Sequence, residues 1–420
     1  MRFFYTLIMY LGTPVIVYRL ASRGLHYRGY FSRWRERFGF FDDPGLRDSI
    51  WVHAVSVGEV NAAVPLVEAL MARYPGRPCV LTTITPTGSE RVRTLFGDRV
   101  FHVYLPYDLP ASVRRFLDRV RPSIGVIMET EIWPNLYFEC HRRGLPLVLA
   151  NARLSERSLR AYRPVRPLAG GALQSVRWVA AQSPADARRF ELLGAQPERI
   201  RITGNLKFDM DVPTQLLVSG SQMRAGWGAG RPVWMAASTH EGEELAVFTA
   251  HLEVLRRLPD ALLLIAPRHP ERFRAAEQSA RNLGFRVATR SEDSLARPST
   301  QCFVIDSMGE MMRFFASADV AFVGGSLVTR GGHNVLEPAA LGRPVLVGPY
   351  TFNFAEITRT LVAAGGARRV EDSSQLGAVV CELLSDPGQR QRMGAHACAV
   401  FDGERGAVAR TMALIEPEMP

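Results

Sequence analysis

The chain alternates short, continuous apolar runs with stretches in which apolar residues recur every three or four positions. The short runs are rich in β-branched residues, which is typical of strands buried on both faces of a parallel sheet, and the periodic stretches indicate helices. In the first half this pattern predicts strands at 50–55, 78–84, 100–104, 124–128, 146–150, 177–181 and 200–203. In the second half it predicts strands at 232–238, 261–267, 285–289, 301–306, 319–325 and 344–348. Strands that alternate with helices predict an α/β fold with parallel sheets covered on both faces.

The pattern breaks at 204–214, GNLKFDMDVPT, and then restarts, which indicates a linker between two α/β domains. A chain of 420 residues also exceeds what one hydrophobic core usually supports. We therefore predict one domain over 23–203 and a second over 215–420, whose last helices could pack back on the first. Two doubly wound domains imply a cleft between them, with ligands at the carboxyl ends of the strands.

Residues 1–22 begin with the most apolar segment of the chain, which carries no charge between Phe3 and Tyr18. Three arginines follow the segment, and no small-residue cleavage site of a signal peptide does. Sixteen residues interrupted by Pro14 fall short of the roughly 20 that a full membrane span needs. We expect a retained membrane anchor, either a short span or an interfacial helix, with the arginines keeping the next domain on the cytoplasmic side. A helix packed on the protein's own core is the alternative, and apolar residues on all of its faces disfavour it.

Charge is concentrated in two segments, although the whole chain has a formal net charge of +10. Residues 1–37 carry +6 and residues 153–166 carry +4, so the remainder is neutral. A nucleic-acid partner is not expected, because such proteins usually carry basic stripes interleaved with aromatic residues on a recognised module. Two short basic segments, one beside an apolar run, are better matched to an anionic membrane surface or an anionic substrate. With 47% hydrophobic and 22% charged residues, the chain is globular rather than disordered.

No cofactor and no metal ion are expected from the sequence. The five cysteines are scattered without a CxxC pair, which predicts reduced cytosolic thiols. His53, His240, His269 and His333 lack the spacing of metal ligands such as HxxxH. There is no G-x-G-x-x-G segment followed by a ribose-binding acid and no P-loop, so nicotinamide and P-loop chemistry are not indicated.

Three glutamates follow predicted strands of the first domain. Glu59 opens a helix, where it could complement the helix dipole or act as a general base facing the cleft, and the segment alone does not decide between these. Glu129 and Glu131 end the strand at 124–128 and would share one face in extended geometry. They could form structural ion pairs with arginines, but a role near a developing charge is favoured.

Two further features of the first half could bind anions. Lys207 is the only lysine beside fifty arginines, which suggests a position where a planar guanidinium would not fit, although chance survival of a surface lysine is the alternative. Thr85, Thr87, Gly88 and Ser89 lie at a strand-to-helix turn, where they could hold an anion, and an ordinary N-cap at Thr87 or Ser89 is the alternative.

The second domain carries its candidate binding residues after predicted strands. Arg268 and His269 follow one strand, and Met308, Gly309 and Glu310 precede a helix. The segment 323–349 contains two pairs of glycines, then His333 and Asn334, then Glu337 in the first turn of a helix. Glycines allow close approach of a phosphate to backbone N–H groups, so we expect a nucleotide sugar, with phosphate at the turn and the carboxylate on ribose hydroxyls. Tight turn packing is the alternative.

With these motifs in place, the chain resembles the 3-deoxy-D-manno-octulosonic acid (Kdo) transferases over nearly its whole length. The resemblance also includes RWRERFGF (33–40), YLPYDLP (104–110), ANARLSERS (150–158), STHEGEE (238–244) and TFNF (351–354). It implies an inverting glycosyltransferase of GT-B architecture, with two Rossmann-like domains and an N-terminal apolar anchor helix. Such an enzyme would transfer Kdo from CMP-Kdo to lipid IVA, a phosphorylated glycolipid, on the cytoplasmic side of the inner membrane, during lipopolysaccharide synthesis.

The resemblance also implies roles for individual residues. Glu59 matches the proton acceptor, and Glu129 and Lys207 match positions that stabilise the transition state. The CMP-contacting positions match Pro267, Arg268, Met308, Gly309, Glu310, Asn334, Val335, Leu336 and Glu337. Two other classes stay open: a GT-B transferase or epimerase that uses a UDP-sugar, and a noncatalytic membrane adaptor.

Overall fold

The computed structural model describes residues 1–292 and 296–419. The chain divides into two compact units. Unit 1 comprises Met1–Met210 together with the chain from Arg405 onward, and unit 2 comprises Asp211–Glu404.

Unit 1 is built on a seven-stranded parallel sheet. Its strands are β1 (Ser49–His53), β2 (Cys79–Thr83), β3 (Phe101–Tyr104), β4 (Pro122–Met128), β5 (Leu147–Ala152), β6 (Trp178–Ala181) and β7 (Ile200–Ile202). They are ordered β3-β2-β1-β4-β5-β6-β7, so β1 and β4 are hydrogen-bonded neighbours at the centre. All seven lie where the apolar runs predict strands. Consecutive buried residues such as Trp51 and Val52 enter two different hydrophobic clusters, because side chains alternate between the two faces of the sheet.

Among the described residues of unit 1, nine α-helices precede residue 204. They are α1 (Arg2–Leu11), α2 (Thr13–His26), α3 (Val57–Arg73), α4 (Pro86–Phe96), α5 (Pro110–Val120), α6 (Pro134–Arg142), α7 (Glu156–Tyr162), α8 (Arg166–Leu173) and α9 (Pro184–Leu193).

The N-terminal apolar segment forms two helices and not the one that its sequence predicts. α1 and α2 are bent by 49°, and Gly12 and Pro14 lie at the break. Proline lacks an N–H and disfavours helical geometry in the residue before it, which explains the interruption. Among the described residues no single helix is long and apolar enough to cross a membrane, whereas the bent pair passes that test of length and composition together.

Most large apolar side chains of α1 and α2 are exposed, and none of the residues of α1 is buried. Phe3, Leu11 and Tyr18 each keep at least 70% of their surface exposed. Three polar side chains join α1 to the rest of unit 1: the Tyr5 hydroxyl donates to Asp108 at 2.9 Å, and the Thr6 hydroxyl and Arg2 Nε donate to the Asn135 side chain at 3.0 Å and 3.3 Å. The helix therefore contacts its unit through polar atoms while its apolar side chains are exposed.

Unit 2 contains a second parallel sheet of seven strands. Its strands are β8 (Val233–Thr239), β9 (Leu262–Pro267), β10 (Val287–Thr289), β11 (Cys302–Val304), β12 (Val320–Val323), β13 (Val345–Val347) and β14 (Ala367–Arg369), ordered β10-β11-β9-β8-β12-β13-β14. Its helices are α10 (Thr214–Trp227), α11 (Glu243–Arg257), α12 (Phe273–Asn282), α13 (Met311–Ser317), α14 (Leu336–Ala340), α15 (Ala355–Ala363), α16 (Ser373–Ser385) and α17 (Pro387–Gly403). The sequence pattern predicts six of these strands and misses β14, because this three-residue edge strand contains two arginines.

The chain then returns to unit 1 as α18 (Ala407–Ile415). Ile415 of α18 is buried in the same cluster as Val60 and Leu66 of α3. The Asp209 carboxylate accepts N–H groups from Gly406, at 2.6 Å, and from Val408 at the start of this helix. The segment just before unit 2 is therefore tied to the segment that follows unit 2.

Candidate active site

The carboxyl ends of the central strands of unit 1 bring together the acidic residues that the sequence singles out. β1 and β4 are parallel neighbours, so the segments that follow them leave the sheet at the same edge. Glu59 lies just after β1, in the first turn of α3, and Glu129 directly follows β4. The β1–β4 pairing therefore places residues 70 positions apart on one edge of the sheet.

Glu59 is held by a backbone contact at the entrance to its own helix. Its Oε2 accepts the N–H of Val55 at 2.9 Å. The pKa of Glu59 is raised to about 8, chiefly by burial and also by nearby Glu129 and Glu131, while the Val55 hydrogen bond and Lys207 oppose the rise. A carboxyl group that is part protonated near neutral pH is suited to proton transfer.

Glu129 adopts a backbone conformation that its sequence did not reveal. Its φ is +56°, in the left-handed region, although its N–H still donates to the carbonyl of Ala150 at 2.9 Å. The prediction that Glu129 and Glu131 share a face in extended geometry is therefore wrong, since the chain turns directly after β4. Two side chains bond the turn: the Thr130 hydroxyl donates to the carbonyl of Arg153, and the Tyr137 hydroxyl donates to that of Glu131.

Lys207 lies beside these carboxyl groups, in the short helical turn Leu206–Asp209. Its Nζ is 3.8 Å from Oε1 of Glu129, and about a quarter of the side chain is exposed. The Asn205 side chain accepts the Lys207 N–H at 3.1 Å, and Asn151 accepts the N–H of the fully buried Leu206 at 3.0 Å. The lysine is therefore a partly buried, ion-paired residue on an anchored backbone and not a freely solvated surface lysine.

Two residues that sequence reasoning missed hold this lysine in place. Asn151, with φ +52°, and Asn205 provide the hydrogen bonds of the Lys207 segment. Asn151 belongs to the ANARLSERS motif and Asn205 to GNLKFD. Both motifs could be recognised in the sequence, but neither indicated that these asparagines bind the backbone N–H groups of Leu206 and Lys207.

At the predicted N-cap turn, Thr85 is the cap of α4. Its hydroxyl accepts the N–H of Gly88 at 3.1 Å. The turn therefore carries an N-cap, but the prediction of Thr87 or Ser89 as the cap is wrong, because the cap is Thr85.

In unit 2, the predicted nucleotide-binding segments also follow neighbouring strands. Pro267 ends β9, Gly309 lies between β11 and α13, and Asn334 lies between β12 and α14. Because these strands are ordered β11-β9-β8-β12, the three segments leave the sheet at one carboxyl edge. That edge is the usual ligand site of open parallel sheets.

The first glycine pair of unit 2 binds a carboxylate of the protein itself. Glu243 is fully buried, and its carboxylate accepts N–H groups from Gly325 at 2.6 Å, Leu327 at 2.9 Å, Ser326 at 3.1 Å and His240 at 3.2 Å. A Cβ at Gly324 would come within 2.7 Å of the Glu243 carboxylate, so this approach requires glycine. An internal anion, 82 residues away in sequence, therefore takes the hydrogen bonds of the first glycine pair, so a donor phosphate at this Gly-rich segment stays a prediction for the second pair.

The second glycine pair leads into the predicted CMP segment. Gly331 and Gly332 have φ values of +90° and +74°. Asn334 then accepts the N–H of Leu336 at 3.1 Å and donates to Glu337 at 3.0 Å. Of the remaining predicted residues in this segment, Val335 and Leu336 are buried, so their side chains serve the core.

The other predicted CMP residues differ in how far they are already engaged. The Arg268 N–H donates to the carbonyl of Thr239 at 2.9 Å. Met308 is 63% exposed, and Gly309 has φ +87°. Glu310 is bidentate to Arg290, at 3.0 Å for both contacts, and this arginine holds the pKa of Glu310 below its usual value. The backbone of 308–310, rather than the Glu310 carboxylate, is the more available partner for a ligand.

Three histidines that sequence spacing set aside meet at this edge. The Nε2 atoms of His240 and His333 are 2.7 Å apart and their nearly parallel rings have centroids 5.0 Å apart, while His269 contacts His240 edge-on at 5.3 Å. Among the residues that the structure describes, no group of three or more His, Cys, Asp or Glu side chains is arranged to hold a metal ion.

A groove of about 1020 Å³ lies at the opposite, amino edge of the unit 1 sheet. Three of the arginines that line it are already paired with acids: Arg121 with Asp43, Arg143 with Asp118 and Arg177 with Glu418. The groove is not associated with the carboxylate cluster.

Comparisons with a family model and with curated proteins point to the same family over most of the chain. Residues 32–210 match the model of the 3-deoxy-D-manno-octulosonic-acid transferase (kdotransferase) family. A 3-deoxy-D-manno-octulosonic acid transferase of Haemophilus influenzae is 41% identical over 419 residues, which cover 99% of this chain and 98% of that protein. The transferase of the same name from Bordetella pertussis is 38% identical over 432 residues and covers 95% and 98% of the two chains.

Among solved structures, the UDP-GlcNAc 2-epimerase of Neisseria meningitidis superposes with a TM-score of 0.61, at 14% identity, over 88% of this chain and all of that chain. A likeness so remote in sequence shows the fold alone, and it confirms the predicted GT-B class with two parallel-sheet units. The near-complete match to two curated relatives decides the family. This chain belongs to the 3-deoxy-D-manno-octulosonic acid transferase family.

Proposed function

We propose that this protein transfers Kdo from CMP-Kdo to lipid IVA at the cytoplasmic face of the inner membrane, with inversion at the anomeric carbon. The observation that carries the proposal is the cluster of Glu59, Glu129 and Lys207 at the carboxyl edge of the unit 1 sheet. These are the residues to which the family resemblance gives catalytic roles, and the fold gathers them from three separate segments.

Glu59 is the general base in this proposal. Glycosyl transfer to a hydroxyl requires a group that takes the hydroxyl proton as the new bond forms. With a pKa of about 8, roughly a tenth of the Glu59 carboxyl groups are ionised at pH 7, and the ionised form is a stronger base than an exposed glutamate.

Lys207 and Glu129 stabilise charge around that base. The Lys207 ammonium favours the ionised form of Glu59, which the pKa of Glu59 reflects, and Glu129 attracts the ammonium from 3.8 Å. The ammonium is a compact charge on a flexible stem, which distinguishes it from the fixed fork of arginine. Glu129 reaches this place only through its left-handed backbone, a strained conformation of the sort that persists where surrounding contacts enforce it.

The donor is bound by the carboxyl edge of unit 2 in this proposal. Pro267, Arg268, the backbone of 308–310 and the segment from Asn334 to Glu337 contact the CMP moiety. The Arg268 guanidinium supplies positive potential for the departing cytidylate, which carries one phosphate, so we propose no divalent cation. An in-line displacement by the acceptor hydroxyl inverts the anomeric centre.

The acceptor side is assigned to the membrane-facing part of unit 1. The exposed apolar residues of α1 and α2 would enter the lipid interface, and the +6 charge of residues 1–37 would lie against anionic headgroups and the acceptor phosphates. These features support a location at the membrane surface.

The test compares donors and a base variant. Wild-type protein should bind CMP in preference to UDP, and Glu59→Gln should keep CMP affinity within about twofold while transfer falls by about three orders of magnitude or more. Preference for UDP would overturn the donor assignment. Near-normal turnover by the Gln variant would overturn the role of Glu59.

A further inference from the structure

The side chains of His240 and His333 meet through their Nε2 atoms, which are 2.7 Å apart. At this distance one nitrogen must donate a proton and the other must accept it, because two N–H groups facing each other would repel. The pair therefore holds a single proton between the rings, and neither Nε2 directs an N–H outward.

The backbone holds the two rings against the first glycine turn. A Cβ at Gly325 would lie 2.9 Å from Cδ2 of His333, 3.0 Å from its Nε2 and 3.4 Å from Cδ2 of His240. The N–H of Gly332 also donates to the carbonyl of Gly325 at 2.8 Å, which ties the second glycine pair to the first. The pair is therefore a built feature of the edge at which Arg268 and Asn334 also lie.

The groups that face the pair are mainly cationic or titratable. His269, Arg268, Arg330 and Arg272 all act on His240, and Arg268 and His269 act on His333. Arg272 is paired with Glu244 at 2.9 Å and with Glu241 at 3.4 Å, and the nearby Glu243 carboxylate is bound by backbone N–H groups. Burial, then these cations, lower the pKa of His333 to about 4 and lower that of His240. Both rings are therefore neutral at pH 7, in a region with an excess of positive charge.

We propose that His240 and His333 together bind an oxyanion of the sugar-nucleotide donor, and that their mutual hydrogen bond opens when it binds so that both Nε2 atoms donate to it. The inference rests on the proposed function for its ligand. An oxyanion beside two imidazoles favours their charged form, so binding takes up a proton from solvent near neutral pH. The oxyanion is the phosphate or the sugar carboxylate of the donor, which share this chemistry.

The experiment is isothermal titration of the full-length protein with CMP between pH 6.5 and 8.5, in two buffers of different ionisation enthalpy. The heats give the protons taken up per CMP. His240→Gln and His333→Gln each keep an amide in place of the ring but cannot titrate, and His396→Gln removes an exposed histidine of α17 as the matched control. Because the phosphate of CMP itself has a pKa near 6, the difference between wild type and each variant isolates the proton taken up by the protein.

On binding CMP, wild type and His396→Gln should take up more protons than either pair variant. Their Kd for CMP should therefore rise with increasing pH, by up to about tenfold per pH unit where one full proton is taken up. Cytidine, which has no phosphate, should bind without this difference, and its unchanged Kd in the variants shows that they are folded. Uptake with CMP assigns the phosphate, whereas uptake only with CMP-Kdo assigns the carboxylate. Equal proton uptake in wild type and both pair variants, with CMP and CMP-Kdo bound, would overturn this inference and leave the proposed function intact. Failure of wild type to bind either nucleotide would overturn both.

Discussion

Replacing Glu59 with Gln should stabilise the protein in a pH-dependent way, because the wild-type carboxyl group resists ionisation in the folded state. Its pKa is raised from 4.5 to about 8, chiefly by burial. A raised pKa means that the folded state binds the proton more tightly than the unfolded state does. The stability that this proton contributes is complete below pH 4.5, declines as the pH rises, and is lost by the time the pH has passed through 8.

The size of the effect follows from the shift. A difference of 3.5 pKa units corresponds to an upper limit of about 5 kcal/mol, and partial solvent access reduces this to about 2 to 4 kcal/mol above pH 8. Gln has nearly the same shape and no ionisable proton, so the variant does not undergo this loss. Relative to wild type, its free energy of unfolding should be nearly unchanged at pH 4.5 and should rise by up to 1.4 kcal/mol per pH unit between pH 5 and 8.

The assay is urea unfolding of both proteins at pH 5.0, 6.5 and 8.5, with the difference between them taken at each pH so that other titrating groups cancel. Glu68→Gln is the control, because Glu68 is an exposed glutamate of the same helix, ion-paired with Arg99. That variant should show no gain in stability as the pH rises. A Glu59→Gln difference that stays flat from pH 5 to 8.5 would refute the buried, proton-binding carboxyl on which the mechanism depends.

Three further outcomes follow from the same contacts. In a pH–rate profile of wild type, the rate of transfer should rise with pH, with a midpoint near pH 8. Lys207→Met should move that midpoint upward, because the ammonium favours ionised Glu59. A midpoint that does not move would show that Lys207 does not act on the Glu59 carboxylate. Lys207→Arg should lose at least about tenfold in kcat despite the retained charge, and full activity in a transfer assay would return this lysine to an ordinary surface position. Glu243→Gln should destabilise unit 2 by about 2 kcal/mol, since an amide cannot accept all four backbone N–H groups. Glu277→Gln on α12, which weakens only a partly exposed ion pair with Arg281, should be nearly neutral in denaturant melts.

The sequence predicts the sheets well because strands buried on both faces must be apolar throughout. The apolar runs predict all the described strands of unit 1 and six of those of unit 2. β14 does not, because an edge strand does not need two apolar faces and can carry Arg368 and Arg369. Gly12 and Pro14 mark the break between α1 and α2 in the sequence, but the continuous apolar segment around them led to the prediction of a single helix.

The site was harder to predict because its parts depend on contacts distant in sequence. Glu59 and Lys207 could be named from the sequence, but the raised pKa of Glu59 depends on burial that only the fold creates. The turn at Glu129 depends on a left-handed backbone for which glutamate gives no signal. Glu243 is a further case in which the sequence does not identify the contact. The glycine turn indicates that an anion is bound, but the pattern does not distinguish a ligand from a carboxylate of the same chain.

The most direct measurement of the central claim is transfer itself. Full-length protein in detergent micelles is incubated with CMP-Kdo and lipid IVA, and the product is analysed by mass spectrometry and by the anomeric configuration of the new linkage. We expect a lipid heavier by one or more Kdo residues, formed with inversion and without added divalent cation, and no such product with Glu59→Gln. An unchanged lipid mass with wild-type protein that binds CMP, or a product with retained configuration, would contradict it.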